Sequence, residues 1–289
     1  MKELVIVSGK GGTGKTTLAA SFAALSNDKV MADCDVDAAD LHLLLKPNIL
    51  KTEKFISSQV AVIDQESCLA CDICRNVCRF DAISEDYVVN PMDCEGCRFC
   101  ERMCPIEAIH MEKQENGRWH IAETEFGPMV FAQLGVAEEN SGQLVSLVRK
   151  EAQKLAKEKN LNYIIIDGPP GVGCPVNSAI TGAQLAVIVT EPTMSGIHDL
   201  MRILELTRQF RVPALVIVNK FDLNLENTKE IKSYCQKQQV EVVGEIPFDP
   251  GVIEALKAGE ILVRFSGDGK VSEIVADIWK RVFNRLQLI

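Results

Sequence analysis

Residues 9–17 read GKGGTGKTT, and this stretch decides the fold of the chain. It fits the pattern G-x-x-x-x-G-K-[ST], in which a glycine-rich loop joins a strand to a helix. The apolar stretch Glu3–Val7 precedes it and the helix-like stretch Lys15–Leu25 follows it, which is the context that the pattern requires. We therefore expect a loop whose backbone N–H groups surround phosphate groups.

The side chains of this loop have expected roles at the phosphates. Lys15 would neutralise the β- and γ-phosphates of a nucleotide, and Thr16 would bind Mg²⁺ through its hydroxyl. Thr17 lies in the first helical turn, where the helix dipole favours phosphate. The nucleotide-binding residues predicted in the loop are Gly9, Lys10, Gly11, Gly12, Thr13, Gly14, Lys15, Thr16 and Thr17.

Apolar runs of strand length recur after the loop. They are Lys29–Ala32, Tyr163–Ile166, Leu185–Val189, Ala214–Val218 and Val240–Ile246. Continuous apolar strands that alternate with helical stretches are typical of a parallel sheet covered on both faces. We therefore predict an α/β fold with a doubly wound, mostly parallel sheet.

The cysteines are concentrated in one part of the chain, because eight of the eleven fall between Cys68 and Cys104. They form two C-x2-C-x2-C-x3-C runs, a spacing typical of ferredoxins in which the fourth cysteine of each run ligates the other [4Fe–4S] cluster. The predicted ligands are Cys68, Cys71, Cys74 and Cys104 for cluster 1, and Cys94, Cys97, Cys100 and Cys78 for cluster 2. Structural zinc is the alternative, since paired C-x2-C motifs also bind zinc. A zinc ribbon gives no reason for a third and fourth cysteine in each run.

The two runs belong to a weak internal repeat. Residues 68–83 read CLACDICRNVCRFDAI and residues 94–109 read CEGCRFCERMCPIEAI. One departure is Arg79, which stands where a proline usually follows the fourth cysteine. We predict a small α+β ferredoxin-like insertion at residues 59–112, flanked by the two parts of the nucleotide-binding domain at 1–58 and 113–289.

Three motifs carry a resemblance to a known class. Lys10 directly follows the first glycine of the loop, DCD at residues 33–35 ends one strand-like run, and DGPPG at 167–171 ends another. With these motifs the α/β part resembles the MinD/ParA/Mrp class of deviant P-loop ATPases, a SIMIBI-like group that includes the nitrogenase iron protein. The resemblance implies a protein that binds ATP, ADP and Mg²⁺, hydrolyses ATP, and forms a homodimer in the ATP state.

The resemblance also implies roles for four catalytic residues, Lys10, Lys15, Asp35 and Asp167. Lys10 would reach the partner subunit's nucleotide, and Asp35 would orient the attacking water. Asp35 and Asp167 would both hold Mg²⁺ through bound water. Carboxylates at the carboxyl ends of neighbouring strands are well placed for this chemistry.

The base that the nucleotide carries is left open by one motif. Residues 219–222 read NKFD and superficially match the NKxD guanine reader, which would make the substrate GTP. In the resembled class an asparagine at the position of Asn219 and an I-P-x-D-P-like loop, here Ile246–Pro250, lie against adenine. The resemblance therefore favours ATP, with Asn219, Pro247 and Asp249 as nucleotide-binding residues.

Charge and hydropathy argue against some partners. The formal net charge is −9 and no block of Lys and Arg is present, so we expect no nucleic-acid partner. No apolar run approaches the ~20 residues that span a bilayer, and the N-terminus lacks a signal peptide, so we expect a cytoplasmic protein. The amphipathic stretch Val271–Leu286 is expected to pack on the sheet rather than to contact a membrane peripherally.

Three functions fit this combination. The first is an ATP-hydrolysing switch that carries two [4Fe–4S] clusters and acts on a protein partner in iron–sulfur or other metal-cofactor maturation. The second is an ATP-gated electron-transfer protein that delivers electrons through its ferredoxin module. The third is a non-catalytic protein that senses iron or oxygen or serves localisation.

Overall fold

The computed structural model describes residues 1–135, 141–265 and 269–289. The strands in these ranges are β1 (Lys2–Ser8), β2 (Lys29–Asp33), β3 (Asn48–Ile63), β4 (Ile109–Thr124), β5 (Gly127–Leu134), β6 (Tyr163–Pro170), β7 (Leu185–Thr190), β8 (Ala214–Asn219) and β9 (Glu241–Ile246). The helices are α1 (Lys15–Leu25), α2 (Leu41–Leu45), α3 (Ile73–Val77), α4 (Phe99–Met103), α5 (Ser141–Glu158), α6 (Cys174–Ile180), α7 (Met194–Gln209), α8 (Leu225–Lys237), α9 (Pro250–Ala258) and α10 (Lys270–Leu288).

The strands form one sheet in the order β3-β4-β5-β2-β6-β1-β7-β8-β9. Every neighbouring pair from β5 to β9 in this order is parallel. Only two residues separate β4 from β5, which makes that pair an antiparallel hairpin. The predicted α/β fold with a mostly parallel sheet is confirmed. Since the parallel strands end at the same edge, the loops after β1, β2, β6, β7 and β8 meet there.

The core forms because both faces of the central strands are covered. Leu4 and Ile6 of β1 are fully buried in a cluster with α1 and α10, where Phe22 and Trp279 lie with ring centroids 4.9 Å apart. Intervening residues of a strand point to the opposite face. The buried stripe of α10 is Val271, Val275, Ile278, Trp279, Val282 and Leu286. The prediction that the C-terminal helix packs on the sheet is therefore confirmed.

The chain divides into two compact units. Unit 1 comprises residues 1–52, 119–133 and 141–289, and unit 2 comprises residues 53–118 with a short segment that begins at Leu134. The boundaries fall inside β3 and β4, which are 16 residues long each. The insertion predicted from the sequence, residues 59–112, lies inside unit 2.

The internal repeat of unit 2 has a backbone counterpart. Left-handed residues recur at the 26-residue offset in three pairs: Ala70 with Gly96, Asp72 with Arg98, and Asp81 with Glu107. The short helices α3 and α4 are related by the same offset and pack together. Gly96 has a φ of +61° and a Cβ there would lie 2.4 Å from the carbonyl oxygen of Gln59, so this position requires glycine. The sequence repeat is therefore a structural repeat.

Candidate functional site

The glycine loop lies between β1 and α1, at the sheet edge where the parallel strands end. Gly14 has a φ of +92°, and a Cβ on it would lie 2.6 Å from the side-chain nitrogen of Asn219. Gly12 also has a positive φ, whereas a Cβ on Gly11 would meet open space. A Cβ on Gly9 would collide with the side chain of Asp199. Glycine is therefore needed at positions 9 and 14, where the loop packs closely against Asp199 and Asn219.

Lys15 lies at the centre of the site and bridges two carboxylates. Its Nζ lies 3.1 Å from Oδ2 of Asp35 and 3.0 Å from Oδ1 of Asp167, and the lysine is buried. The hydroxyl oxygen of Thr16 lies 3.4 Å from the same nitrogen. The structure therefore brings Lys15, Thr16, Asp35 and Asp167 together, although they come from three separate parts of the sequence.

Burial and charge work against each other in this group. Burial would lower the pKa of Lys15, but the charges of Asp167 and Asp35 outweigh it and hold that pKa above its ordinary value. Burial raises the pKa of Asp35, and the charge of Lys15 offsets this only in part. Asp33 is completely buried, which together with the charge of Asp167 raises its pKa. The lysine is thus the counter-ion on which these buried carboxylates depend.

Asp33 has a local structural role beside the site. Its carboxylate accepts hydrogen bonds from the backbone N–H groups of Asp35 and Leu41, at 3.1 and 3.3 Å. These two bonds fix the loop that carries Asp35 after β2.

Two carboxylate oxygens of the group, Oδ1 of Asp35 and Oδ2 of Asp167, are buried without a hydrogen-bond partner. The hydroxyl of Thr13 in the glycine loop is also buried without a hydrogen-bond partner. Buried polar atoms are seldom left unpaired in native proteins. Their presence beside the hydroxyl of Thr16 fits a hydrated Mg²⁺, whose water ligands donate hydrogen bonds to carboxylates.

An open cavity of about 800 Å³ adjoins the glycine loop. The predicted nucleotide-binding residues that line it are Gly12, Gly14, Thr17, Asn219, Pro247 and Asp249. Its far wall is apolar and includes Ile253, Leu256, Leu262 and Val275. The amide of Asn219 donates to the carbonyl oxygen of Thr13 at 2.8 Å and so ties the end of β8 to the loop. The cavity has the size and apolar lining that a nucleoside needs.

Asp222, the last residue of the NKFD motif, contacts its own chain. One of its carboxylate oxygens accepts the backbone N–H of Phe248 at 2.7 Å. The geometry of Asp222 therefore favours a role in fixing the loop of residues 246–250.

Lys10 contacts two residues outside the predicted site, Glu191 and Thr193. Its Nζ lies 3.2 Å from a carboxylate oxygen of Glu191 and 3.3 Å from the hydroxyl of Thr193. Glu191 also pairs with Lys220, whose Nζ lies 3.4 Å from the carbonyl oxygen of Gly12. These contacts arise because β7 lies beside β1, and Glu191 directly follows β7. The sheet order would have identified Glu191, because this residue follows a parallel strand and so lies at the same edge of the sheet as Asp35 and Asp167.

The cysteines of unit 2 line two cavities. The first is lined by Cys68, Cys71, Cys74 and Cys104, together with apolar residues such as Ile63 and Ile109. The second is lined by Cys78, Cys94, Cys97 and Cys100. Each cavity thus combines three cysteines of one run with the fourth cysteine of the other. None of the eleven cysteines, all of which lie in the described residues, forms a disulfide.

Among the described residues, no three His, Cys, Asp or Glu side chains are grouped so that they could hold a metal ion. Cys34 is buried after β2, and Cys174 is exposed at the start of α6.

The family model described as the CobQ/CobB/MinD/ParA nucleotide binding domain matches residues 4–263. The chain belongs to this family. The assignment to the MinD/ParA class of P-loop ATPases is thereby confirmed.

Relatives of this MinD/ParA-family chain include an uncharacterized protein of Methanocaldococcus jannaschii, 36% identical over 97% of this chain and 96% of that protein. An iron-sulfur cluster carrier protein of Pyrococcus abyssi is 28% identical over 50% of this chain and 53% of its own length. The structure of the septum site-determining protein MinD of Pyrococcus horikoshii, complexed with Mg-ADP, matches with a TM-score of 0.60 at 18% identity. That match covers 99% of this chain and 98% of the other. At this identity the structural likeness shows the fold.

Proposed function

We propose that this MinD/ParA-family chain is a Mg²⁺-dependent ATPase that works as a nucleotide-driven switch in the cytoplasm and carries two [4Fe–4S] clusters. The observation that carries the ATPase half is the contact of Lys15 with Asp35 and Asp167 at the glycine loop. ATP binding would draw Lys15 from these carboxylates to the β- and γ-phosphates. Asp35 and Asp167 then become free to act on water.

Each residue of the loop has a part in this scheme. Bound Mg²⁺ would neutralise charge on the β- and γ-phosphates, held by the hydroxyl of Thr16 and, through water, by Asp35 and Asp167. Asp35 orients the attacking water toward the γ-phosphorus. Attack breaks the bond to the β–γ bridging oxygen and yields ADP and phosphate. Catalysis of this kind consists mainly of positioning and charge stabilisation.

The proposal includes a homodimer in the ATP state, in which Lys10 reaches the partner subunit's nucleotide. It also includes adenine as the base, which the MinD/ParA family membership and the Mg-ADP complex of a structural neighbour support. Asn219, Pro247 and Asp249 line the cavity where the nucleoside would lie.

For the cluster half, the proposal rests on the lining of the two cavities in unit 2. Four cysteines line each cavity, which is the number of thiolates that a [4Fe–4S] cluster takes. Each thiolate of such a cluster binds a different iron atom, so the four need not converge on a single metal ion. Such clusters would supply one-electron redox chemistry. We propose that residues 59–112 are the ferredoxin-like insertion between domain parts 1–58 and 113–289. The client of the switch would be a protein of iron–sulfur or other metal-cofactor maturation.

ATP-gated electron transfer is the second candidate. It is favoured by the exposure of Cys71 and Cys97, one ligand from each proposed cluster set. Ligands at the surface would bring both clusters within reach of an external redox partner.

The test of the ATPase half measures phosphate release with and without Mg²⁺ by the anaerobically purified chain. We expect Mg²⁺-dependent hydrolysis that falls roughly 10²-fold or more in Asp35→Asn. Equal rates in the parent and in Asp35→Asn would contradict the catalytic assignment. For the cluster half, iron and acid-labile sulfide should each reach about eight per chain. Zinc in place of iron would contradict it.

A further inference from the structure

Glu191 lies between two lysines at the phosphate edge of the sheet. One of its carboxylate oxygens lies 3.2 Å from Nζ of Lys10, and the other accepts a hydrogen bond from Lys220. The Glu191 side chain is only 11% exposed, whereas that of Lys10 is 34% exposed. Burial therefore restricts movement of the Glu191 carboxylate, whereas the more exposed Lys10 side chain can move away from it.

Three elements hold this arrangement in place. Lys10 follows β1, Glu191 follows β7 and Lys220 follows β8, which are consecutive neighbours in the sheet. Thr193 caps α7 by accepting the N–H of Gly196 at 3.0 Å, and the same hydroxyl contacts Lys10. The receiving site for Lys10 is thus built from the loop between β7 and α7.

The charges show that this contact must compete with nucleotide. Burial would raise the pKa of Glu191, but the hydrogen bonds and charges of Lys220 and Lys10 outweigh it and hold that pKa below its ordinary value. Glu191 is therefore an anion at neutral pH. A triphosphate in the glycine loop brings further negative charge toward the same two lysines. To bind a phosphate of the partner's nucleotide, Lys10 would have to extend away from its own chain, and that movement competes with its contact to Glu191.

We propose that Glu191 is a positioning residue that holds Lys10 on its own chain until the nucleotide of a partner subunit replaces it. The proposal rests on the ATP-state homodimer described under the proposed function. Glu191 raises the ATP concentration at which the dimer forms, because its bond to Lys10 must break first. The contact keeps the nucleotide-free chain from using Lys10 in a dimer.

The test is the Glu191→Gln variant, which removes the negative charge and keeps the shape of the side chain. Dimer formation is measured by sedimentation at fixed protein concentration while Mg²⁺ and a non-hydrolysable ATP analogue are titrated. We expect the midpoint to fall about two- to fivefold, as the loss of a partly exposed ion pair predicts. Glu191→Asp, which keeps the charge, should return the midpoint toward that of the parent.

Two further variants separate this role from a structural one. Glu245→Gln removes one carboxylate from another lysine pair, with Lys232, and should leave the midpoint unchanged. The double variant Lys10→Ala/Glu191→Gln should stay monomeric like Lys10→Ala, because Glu191 acts through Lys10. A thermal unfolding scan of each variant reports whether it is folded.

The outcomes distinguish this inference from the function on which it rests. A parent chain that dimerises and a Lys10→Ala variant that does not, with Glu191→Gln equal to the parent, would overturn the inference alone. A higher midpoint in Glu191→Gln would also overturn it, since that is the result of a purely structural role. A parent chain that stays monomeric with the analogue would overturn both.

Discussion

In the phosphate site of unit 1, Lys15 and Lys10 already contact carboxylates of their own chain, whereas in unit 2 the cysteine thiols line two apolar cavities. In the phosphate site, ion pairs within the chain hold the lysine side chains in place, and a bound nucleotide would have to replace these pairs. In unit 2, four cysteine side chains line each cavity, and few ion pairs or hydrogen bonds within the chain would have to break for a cluster to bind there. Substitutions in the two regions should therefore have different consequences: one at the phosphate site breaks ion pairs within the chain, whereas one among the cysteines of unit 2 should act mainly on cluster binding.

The largest effect is expected from a substitution of Lys15, which tests whether the phosphate site depends on its own ion pairs. In Lys15→Met, ATP hydrolysis should fall roughly 10²–10³-fold, because the γ-phosphate loses its principal cation. The free energy of unfolding should also fall by about 3–5 kcal/mol, since Asp35 and Asp167 lose their buried counter-ion. Phosphate release and chemical denaturation measure the two effects. Lys232→Met, at an exposed lysine paired with Glu245, is the control and should change neither. An unchanged stability of Lys15→Met would show that the site is not organised by its own charges.

The cysteine cavities allow an equally sharp test by pairs of substitutions. The double variant Cys74→Ala/Cys104→Ala removes two ligands from one proposed cluster and should retain about four iron atoms per chain. Cys74→Ala/Cys78→Ala removes one ligand from each cluster and should lose nearly all eight. Iron analysis after anaerobic purification measures this. Cys174→Ala changes an exposed cysteine outside unit 2 and should keep the full iron content. Equal iron in the two double variants would contradict the crossed ligand sets.

The sequence predicts a region well when the residues that contact each other are close along the chain, and poorly when only the fold brings them together. The glycine loop was predictable because strand, loop and helix are adjacent in the chain. The partners of Lys10 were not, because Glu191 and Thr193 come beside it only through the sheet order of β1 and β7. The far wall of the nucleoside cavity was missed for the same reason, since Leu262 and Val275 are distant in the chain. The crossed cysteine sets, by contrast, came from spacing and a known ligation rule, and they stay predictions until iron is measured.

A smaller effect is expected at the nucleoside end of the phosphate site. Asp222→Asn weakens the bond to the backbone N–H of Phe248 and should reduce ATP and GTP binding by the same factor, at most about fivefold. Competition binding with both nucleotides measures it. Asp277→Asn, at an exposed carboxylate on α10, is the control and should change neither affinity. A selective loss of GTP binding would show that Asp222 reads a guanine.

The smallest effect concerns Lys29, a buried lysine of unit 1 whose hydrogen bonds go to the carbonyl oxygens of Ser26 and Phe126. Lys29 pairs with no carboxylate of the described residues, and burial lowers its pKa from 10.5 to about 8, the direction opposite to that of Lys15. Between these two pH values the unfolded chain holds a proton that the folded chain lacks. The contribution of Lys29 to the free energy of unfolding therefore rises with pH across this window.

Lys29→Met should remove this rise. The stability of the parent relative to the variant should increase by about 1 kcal/mol between pH 8 and pH 10, after allowance for solvent screening. Denaturant unfolding at several pH values measures the difference. Lys2→Met is the matched control, because Lys2 also donates to two carbonyl oxygens, those of Leu286 and Gln287, but at the surface. The pH slope of Lys2→Met is measured alongside that of Lys29→Met. If Lys29→Met kept the pH slope of the parent, burial would not lower the pKa of Lys29, and its contrast with Lys15 would be wrong.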